Sequence, residues 1–475
     1  MAAAAAFHPM SQPLYFDTFD WQTLKQQYPI GADFMTRYKG ISSDHLFAIQ
    51  DALFKRCMSR GWKIPFYQRL WGAKGIEAGD IRGLEDIAKL PTFSKTELME
   101  SVELAPPLGD YHGLDSYDDA TRPPMILHTT SGTTGRPQPL VFGPRGREIQ
   151  NLLLGRAYTF QGIGEGDTVH SVYGHGLING GHYVREAVLH YTRAVFLSAG
   201  TGVETRSLQQ VQIMRDFSVT AVVGFADYIK KLAEVAHESG IVPGRDIPVK
   251  RISGHLGRES REALSASWGD CEVFDWYGVG DTGLIAAEGP DHDGLYVMED
   301  AQYVEIGDVD TDLPVADGEN GNLIVTCLYK DDIYPCIRFN TKDVSAVKTG
   351  GSAIDLGFKR IEGFLGRSDN MIKLRGINIY PQGLAPVLEQ NNSYAGEFVC
   401  VAERDADGRD ELTVRVEVKP GVAADAGLVD AFEELLKQRF GVHMKVTLDK
   451  PGTLAPLTGI ETRQKPIRLI DKRFK

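Results

Sequence analysis

The chain is poor in cysteine: Cys57, Cys271, Cys327, Cys336 and Cys400 are the only five in 475 residues, and no two stand at a CxxC spacing. Neither a disulfide framework nor a cysteine-based zinc module follows from such a scatter, and reduced thiols in a cytoplasmic protein are expected. Long hydrophobic runs are also missing. The Ala2 to Ala6 stretch is too short to span a bilayer and lacks the cationic residues that precede a signal peptide's apolar segment. Positive charge is the third shortage, with 51 Lys and Arg against 64 Asp and Glu and a formal net charge of −13. Nucleic acid and anionic membrane surfaces would repel such a chain over a Debye length, so neither is expected as a partner, although local basic sites for phosphate remain possible. What is present is an ordinary globular composition, 42% hydrophobic and 24% charged, with enough length for more than one domain.

Apolar periodicity divides the chain into regions. Up to about residue 120 it alternates helices and loops; Leu46, Ile49, Leu53 and Cys57 fall on one face of a helix predicted over Asp44 to Arg60. From Pro124 to Trp276, strands expected at Thr168–Tyr173, Ala194–Ser198, Val219–Gly224, Val249–Ser253 and Glu272–Trp276 are separated by helical patterns such as Asp227 to Ser239. That alternation predicts an α/β fold with a mostly parallel sheet covered by helices, whose ligands bind beyond the strand C-termini. After Gly278 the sequence becomes β-rich, through Leu323–Leu328 and Ile337–Val347. Beyond Gly366, a strand with one wet face (Leu412, Val414, Val416, Val418) precedes a helix carrying Leu428, Phe432, Leu435 and Leu436 that ends at Gly441. These last residues suffice for a small α+β domain, and the expected division is 1–366 and 367–475.

Between two apolar runs lies His128-Thr-Thr-Ser-Gly-Thr-Thr-Gly-Arg-Pro137. Backbone amides, hydroxyls and glycines at Ser131, Gly132, Thr133, Thr134 and Gly135, closed by Arg136, suit a polyphosphate. Taken alone, the segment could equally be a polar surface turn. It is not a Walker A loop, because the GK[ST] ending is absent. A GxGxxG pattern at Gly278, Gly280 and Gly283, with Glu299 and Asp300 downstream, is a poor dinucleotide fingerprint, because Gly289-Pro290 leaves no room for the helix that must follow.

Ser131-Gly-Thr-Thr-Gly-Arg-Pro137 resembles the phosphate loop of the acyl-adenylate-forming superfamily, and four further segments extend the resemblance to its phenylacetate-CoA ligase branch. Asp275-Trp-Tyr-Gly-Val-Gly-Asp-Thr282 is similar to the family's Tyr-Gly-x-Ser/Thr-Glu motif, with Gly280 in place of the hydroxyl residue and Asp281 in place of the glutamate. Tyr334-Pro-Cys-Ile-Arg-Phe-Asn-Thr-Lys-Asp343 resembles the segment whose aspartate holds the ribose. Gly366 to Pro381 resembles the interdomain hinge and following strand, and Arg463-Gln-Lys-Pro466 the segment bearing the catalytic lysine.

The resemblance implies a large N-terminal adenylate-forming domain with mostly parallel sheets and a β-rich subdomain, followed by a small α+β C-terminal lid domain. By the same analogy Lys465, Arg136 and Thr282 are catalytic, while Ser131 to Gly135, Asp275, Trp276, Tyr277, Gly278, Asp343 and Arg367 bind the nucleotide. Asp369 is the hinge, and Asp281 the metal residue. Val172-Tyr-Gly-His-Gly-Leu-Ile-Asn-Gly-Gly181 marks the branch. Its acid pocket maps onto Tyr173, His175, Gly224, Phe225, Gly254, His255 and Gly278, and the two histidines point to a polar ring substituent. Gly254-His-Leu-Gly257 replaces the usual Gly-Ala-Glu-Pro, and Gln464 the usual glycine before the lysine. The implied activity uses ATP and Mg²⁺ to convert an aromatic, aryl or arylacetic, acid to an acyl-adenylate, and then coenzyme A to form a thioester. A homodimer is expected by analogy. Two alternatives remain at this point: an adenylate passed to an amine or another non-CoA nucleophile, and a nucleotide-binding protein without activity.

Overall fold

A computed structural model describes residues 12–130, 137–256, 260–375, 377–405, 410–460 and 466–473. The expected N-terminal helix is α1 (Ser43–Gly61); the Ser42 hydroxyl caps it by accepting from His45 N at 3.3 Å. Its buried face carries Leu46, Leu53, Phe54 and Cys57, with Ile49 at the margin of the core.

Short strands β1 (Ile126–Thr129) and β2 (Pro139–Phe142) pair antiparallel and bracket the Ser/Thr/Gly segment. The main sheet has eight strands: β3 (Thr168–Ser171), β4 (Val195–Ser198), β5 (Ala221–Phe225), β6 (Arg251–His255), β7 (Glu272–Val279), β8 (Gly283–Glu288), β9 (Leu295–Val297) and β13 (Arg360–Ile361), in the order β13-β9-β8-β7-β6-β5-β3-β4. From β4 across to β7 all neighbours are parallel, as the alternating pattern predicts; from β7 to β13 they are antiparallel. Strand β7 therefore joins two kinds of sheet, and the turn into β8 carries Gly280, Asp281 and Thr282. Helices α3 (Asn179–Tyr191) and α4 (Ala226–Glu238) pack on the parallel half, while α2 (Pro144–Phe160) lies against α3 and β8. Helix α2 is buried almost along its whole length. Its Arg156 makes a bidentate pair with Asp300 at 2.8 Å for both bonds, and Tyr38 adds a hydrogen bond to the same carboxylate at 3.0 Å. Fully hydrogen-bonded, that charge pair can stay in the core.

A second sheet, β10 (Gln302–Gly307), β11 (Gly321–Cys327), β12 (Phe339–Ser345) and β14 (Gly366–Arg367), is wholly antiparallel and sets Asp343 opposite Arg367. After the ribbon β15 (Ile372–Leu374) and β16 (Ile377–Ile379), the chain builds a four-stranded sheet from β17 (Tyr394–Arg404), β18 (Asp410–Val418), β19 (Lys445–Asp449) and β20 (Leu469–Asp471), in the order β19-β18-β17-β20. Leu412, Val414, Val416 and Val418 are buried while Thr413 and Arg415 are half-exposed, the alternation expected of β18. Helix α5 (Ala426–Phe440) closes this sheet, with Asp425 capping its start and Gly441 its end at φ 72°. These elements share a separate hydrophobic core, including Ile372, Leu388, Phe398, Val414, Phe432 and Leu436. The result is a large mixed α/β unit followed by a smaller α+β one. All five cysteines are buried and free, and among the described residues no helix is long and apolar enough to cross a membrane.

Candidate active site

The parallel register of β5 and β6 sets Gly224 beside Gly254. A Cβ on Gly254 would lie 1.7 Å from the Gly224 carbonyl oxygen, so these strands need glycine at their C-terminal ends. Immediately after them, Phe225 and His255 stack at 5.0 Å with an interplanar angle of 28°. Tyr173, following β3, sits 5.2 Å from Phe225 and 6.0 Å from His255, and Trp276 on β7 lies 4.0 Å from His255. The parallel strands thus end in an aromatic cage of Tyr173, Phe225, His255 and Trp276. The Trp276 carbonyl can only accept, so the 3.0 Å contact with His255 Nδ1 assigns the proton to that nitrogen. Trp276, placed at the nucleotide by analogy, faces this cage, whereas Asp275 and Tyr277 on either side of it point elsewhere. His175 is turned away as well. Its Nε2 meets Ser198 Oγ at 2.6 Å, its backbone N–H donates to Glu204 at 3.2 Å, and its ring touches His182 rather than His255.

At the other end, Tyr277 and Arg367 converge on Asp343. The tyrosine hydroxyl donates to Oδ2 at 2.7 Å and the guanidinium to Oδ1 at 2.7 Å. Arg367 also forks onto Asp369, with Nε–Oδ1 at 2.7 Å and Nη2–Oδ2 at 2.5 Å. Three residues named from separate motifs therefore form one charged chain, held by the β12–β14 pairing. A buried carboxylate so oriented has the chemistry to accept from vicinal hydroxyls.

Asp281, in the turn between β7 and β8, is almost fully buried. Burial pushes its carboxyl up, and the nearby Lys330 ammonium, with hydrogen bonds from Gln138 and Tyr334, pulls it back down. Gln138 Nε2 donates to Oδ1 at 2.8 Å and Tyr334 to the same oxygen at 3.4 Å, while Lys330 Nζ donates to the Asp281 carbonyl at 2.8 Å. No partner engages Oδ2 among the described residues, where no group of three His, Cys, Asp or Glu side chains could cage a metal. One open carboxylate oxygen fits an Mg²⁺ ion whose other ligands are phosphate oxygens and water. Gln138, Lys330 and Tyr334 escape sequence reasoning. Gln138 stands only two residues beyond Arg136 and Tyr334 opens a quoted segment, but nothing in the local pattern marks Lys330. A Cβ at Gly280 would come within 2.8 Å of Leu140 Cδ1, the end of a side chain that can shift to admit it. Thr282 is fully buried, and its hydroxyl donates to the Gly283 carbonyl at 3.0 Å.

Asp275 accepts from Leu256 N at 3.1 Å, and burial pushes its pKa up to about 7. In the unfolded chain an aspartate titrates at about 4. The fold thus binds this proton more tightly than the unfolded state does. Its contribution to stability is complete below pH about 4 and is lost as pH rises towards about 7. Relative to Asp275→Asn, the native protein should lose about 1 kcal/mol of stability per pH unit across that interval, read from urea midpoints of both proteins at pH 5 and pH 8. Equal midpoint shifts would contradict it.

Ser131, Gly132, Thr133, Thr134, Gly135, Arg136 and Lys465 lie outside the described residues. Their flanks are described. Thr130 N donates to the Gln138 carbonyl at 3.0 Å, closing the base of the Ser/Thr/Gly segment. On the far side of Lys465, Ile467 N donates to Thr458 O at 2.8 Å, Arg468 grips Glu397 and the Phe398 carbonyl, and β20 runs parallel to β17. The chain just beyond the lysine is thereby fixed to the smaller unit. Across the boundary, Lys230 on α4 lies 3.6 Å from Glu389.

The family described as the AMP-binding enzyme C-terminal domain matches residues 376–473. The phenylacetate-coenzyme A ligase of Aromatoleum evansii is 27% identical over 451 residues, covering 91% of this chain and 96% of the relative. Among solved structures, 2-hydroxyisobutyryl-CoA ligase in its postadenylation state, in complex with R3-HIB-AMP, superposes with a TM-score of 0.79 at 26% identity and 93% coverage of both chains. The same ligase in its thioesterification state, with 2-HIB-AMP and CoA, scores 0.64 at 27% identity and 94% coverage of both. Because one protein is compared twice, the difference lies in how its parts are arranged, and the present chain has the arrangement nearer the postadenylation one. With this likeness running through both units, the chain belongs to the acyl-adenylate-forming superfamily, as an AMP-forming acid–thiol ligase.

Proposed function

We propose that the chain activates an aromatic carboxylic acid, aryl or arylacetic, with ATP and Mg²⁺, and transfers the acyl group to coenzyme A with release of pyrophosphate and AMP. The observation that carries this reading is the aromatic cage of Tyr173, Phe225, His255 and Trp276, built on the same strand ends that lead to the Tyr277–Asp343–Arg367 chain. Flat aromatic walls suit a flat acyl group, and the relative from Aromatoleum evansii bears phenylacetate in its name.

In this reading Ser131 to Arg136 cradle the phosphates. Asp343 holds the ribose, with Arg367 and Tyr277 orienting its carboxylate. Asp275 lies at the nucleotide end of β7, and Gly278 and Thr282 complete the wall between nucleotide and acid. Asp281 would hold Mg²⁺, which when bound supplies charge neutralisation to the phosphates. The acid's carboxylate attacks the α-phosphorus, the bond to pyrophosphate breaks, and Lys465 stabilises the charge that accumulates between them. Residues 367–475 then turn about Asp369, withdrawing Lys465, and the thiolate of coenzyme A displaces AMP from the acyl carbon.

Pyrophosphate release measured with a panel of benzoic and phenylacetic acids, with and without coenzyme A, tests this. Release should require an aromatic acid, and a thioester should accumulate only with coenzyme A. Turnover indifferent to coenzyme A would redirect the second half-reaction to another nucleophile. Turnover with short aliphatic acids alone would remove the aromatic assignment.

A further inference from the structure

One wall of the proposed acid pocket has an unmet hydrogen-bonding requirement. Trp276 is only 4% exposed, and its indole Nε1–H has no acceptor among the described residues. Its ring is packed by His255 at 4.0 Å, Tyr173 at 6.3 Å and Tyr183 at 6.4 Å. None of these neighbours satisfies it. The Tyr173 hydroxyl is directed to the Gly224 carbonyl at 3.3 Å, and His255 Nδ1 to the Trp276 carbonyl. The Tyr183 hydroxyl accepts from Leu284 N at 2.9 Å, and its own proton meets no acceptor among the described residues.

Buried donors are almost always satisfied, and an indole N–H is a donor only, so it can be matched only by an acceptor. A phenylalanine would fill much of the same space without the unmet group. Among the described residues the cation set against Tyr183 is Arg147, 5.8 Å from that ring; its charge is paired with Glu186 at 2.7 Å, while its Nη2 has no hydrogen-bond partner. Against the described residues a carboxylate or phosphate on the acyl tail would meet no unpaired counter-ion, whereas a hydroxyl, ether or ketone oxygen would be matched.

We propose that the acid carries an uncharged oxygen on its tail that accepts a hydrogen bond from the Trp276 indole N–H, which makes Trp276 a specificity-determining residue. This rests on the reading of the cage as the acid pocket. Of the two histidines associated with a polar substituent by their place in sequence, His175 lies outside the cage and His255 directs Nδ1 to the Trp276 carbonyl, so the recognition moves to a residue assigned by analogy to the nucleotide.

The test uses the full chain and matched acids: benzoic and phenylacetic acid, each against its ring-hydroxylated and methoxylated positional isomers, with kcat/KM taken from acid-dependent pyrophosphate release. At least one oxygen-bearing isomer should exceed its parent by about tenfold, since a site built to hydrogen-bond a substituent discriminates strongly against the analogue that lacks it. In Trp276→Phe, and in a protein carrying benzothienylalanine at 276, which keeps the bicyclic shape without the N–H, that ratio should collapse to within about threefold. The Trp276 indole ¹⁵N–¹H resonance should also move on adding the preferred acid and stay in place with its parent. Parents and isomers turned over equally well, or a preference that survives loss of the N–H, would overturn the inference and leave the ligase reading intact. Absence of pyrophosphate release with every aromatic acid would overturn both.

Discussion

Lys465→Ala is expected to lower acid-dependent pyrophosphate release by about a hundred- to a thousand-fold, the usual cost of removing one group that stabilises transition-state charge. Thioester formation from supplied acyl-adenylate and coenzyme A should change by less than about threefold. The asymmetry follows from the two chemistries. Adenylation drives a carboxylate onto a polyphosphate, and an ammonium between them offsets negative charge that grows along the reaction path. Thiolysis of the mixed anhydride expels AMP, with no new charge developing at the position the lysine would occupy. The anchoring of Ile467 and Arg468 onto the smaller sheet means that whatever moves this sheet moves these two residues with it. The two half-reactions should therefore be separable by one substitution. Pyrophosphate exchange and single-turnover thioester formation, measured side by side, check this. An equal fall in both would contradict alternation of the smaller unit and point to a general loss of fold.

Asp343→Ala should raise KM for ATP by about a hundredfold or more, because each hydrogen bond to a charged carboxylate is worth about 1.5–3 kcal/mol and the proposed function has it accept from two ribose hydroxyls. The substitution also strips Tyr277 of its acceptor and removes one of the two carboxylates facing Arg367. Asp343→Asn keeps the volume and one acceptor oxygen and should fall between the two. If the residue were only a structural link between β12 and β14, both variants would lose thermal stability with an unchanged KM for ATP. Isothermal titration with a non-hydrolysable ATP analogue, beside a melting curve, distinguishes the two roles.

Periodicity located the elements well wherever burial is one-sided. The strands expected from Thr168 to Trp276 are present within a few residues, because parallel strands with short apolar cores leave little choice of register. Helix α5 and its Gly441 cap were legible for the same reason, a clean apolar stripe ending at a left-handed position. Less legible was the switch of β7 from parallel pairing on one edge to antiparallel on the other, since both edges of one strand share the same residues. Among the motif residues, Tyr277, Asp343, Arg367 and Asp369 come together in one hydrogen-bonded group. Side-chain direction within a motif is another matter. Trp276 and His175 belong to quoted segments, yet the alternation along β7 turns the first to the aromatic cage, and the loop after β3 turns the second towards β4. Lys330 belongs to no pattern at all. It is placed by the fold beside the backbone of a residue some fifty positions earlier in the chain.

The Asp343 carboxylate is shared by Tyr277 from the main sheet and by Arg367 at the entrance to the smaller unit. If nucleotide binds there, its occupancy and the posture of the arginine draw on the same two oxygens, so neither can change without altering the other's free energy. Thermodynamic reciprocity then requires that any factor by which AMP biases the orientation of the smaller unit be the factor by which that orientation biases the affinity for AMP. Product departure and resetting for the next cycle become one coupled equilibrium, governed by a single acidic side chain.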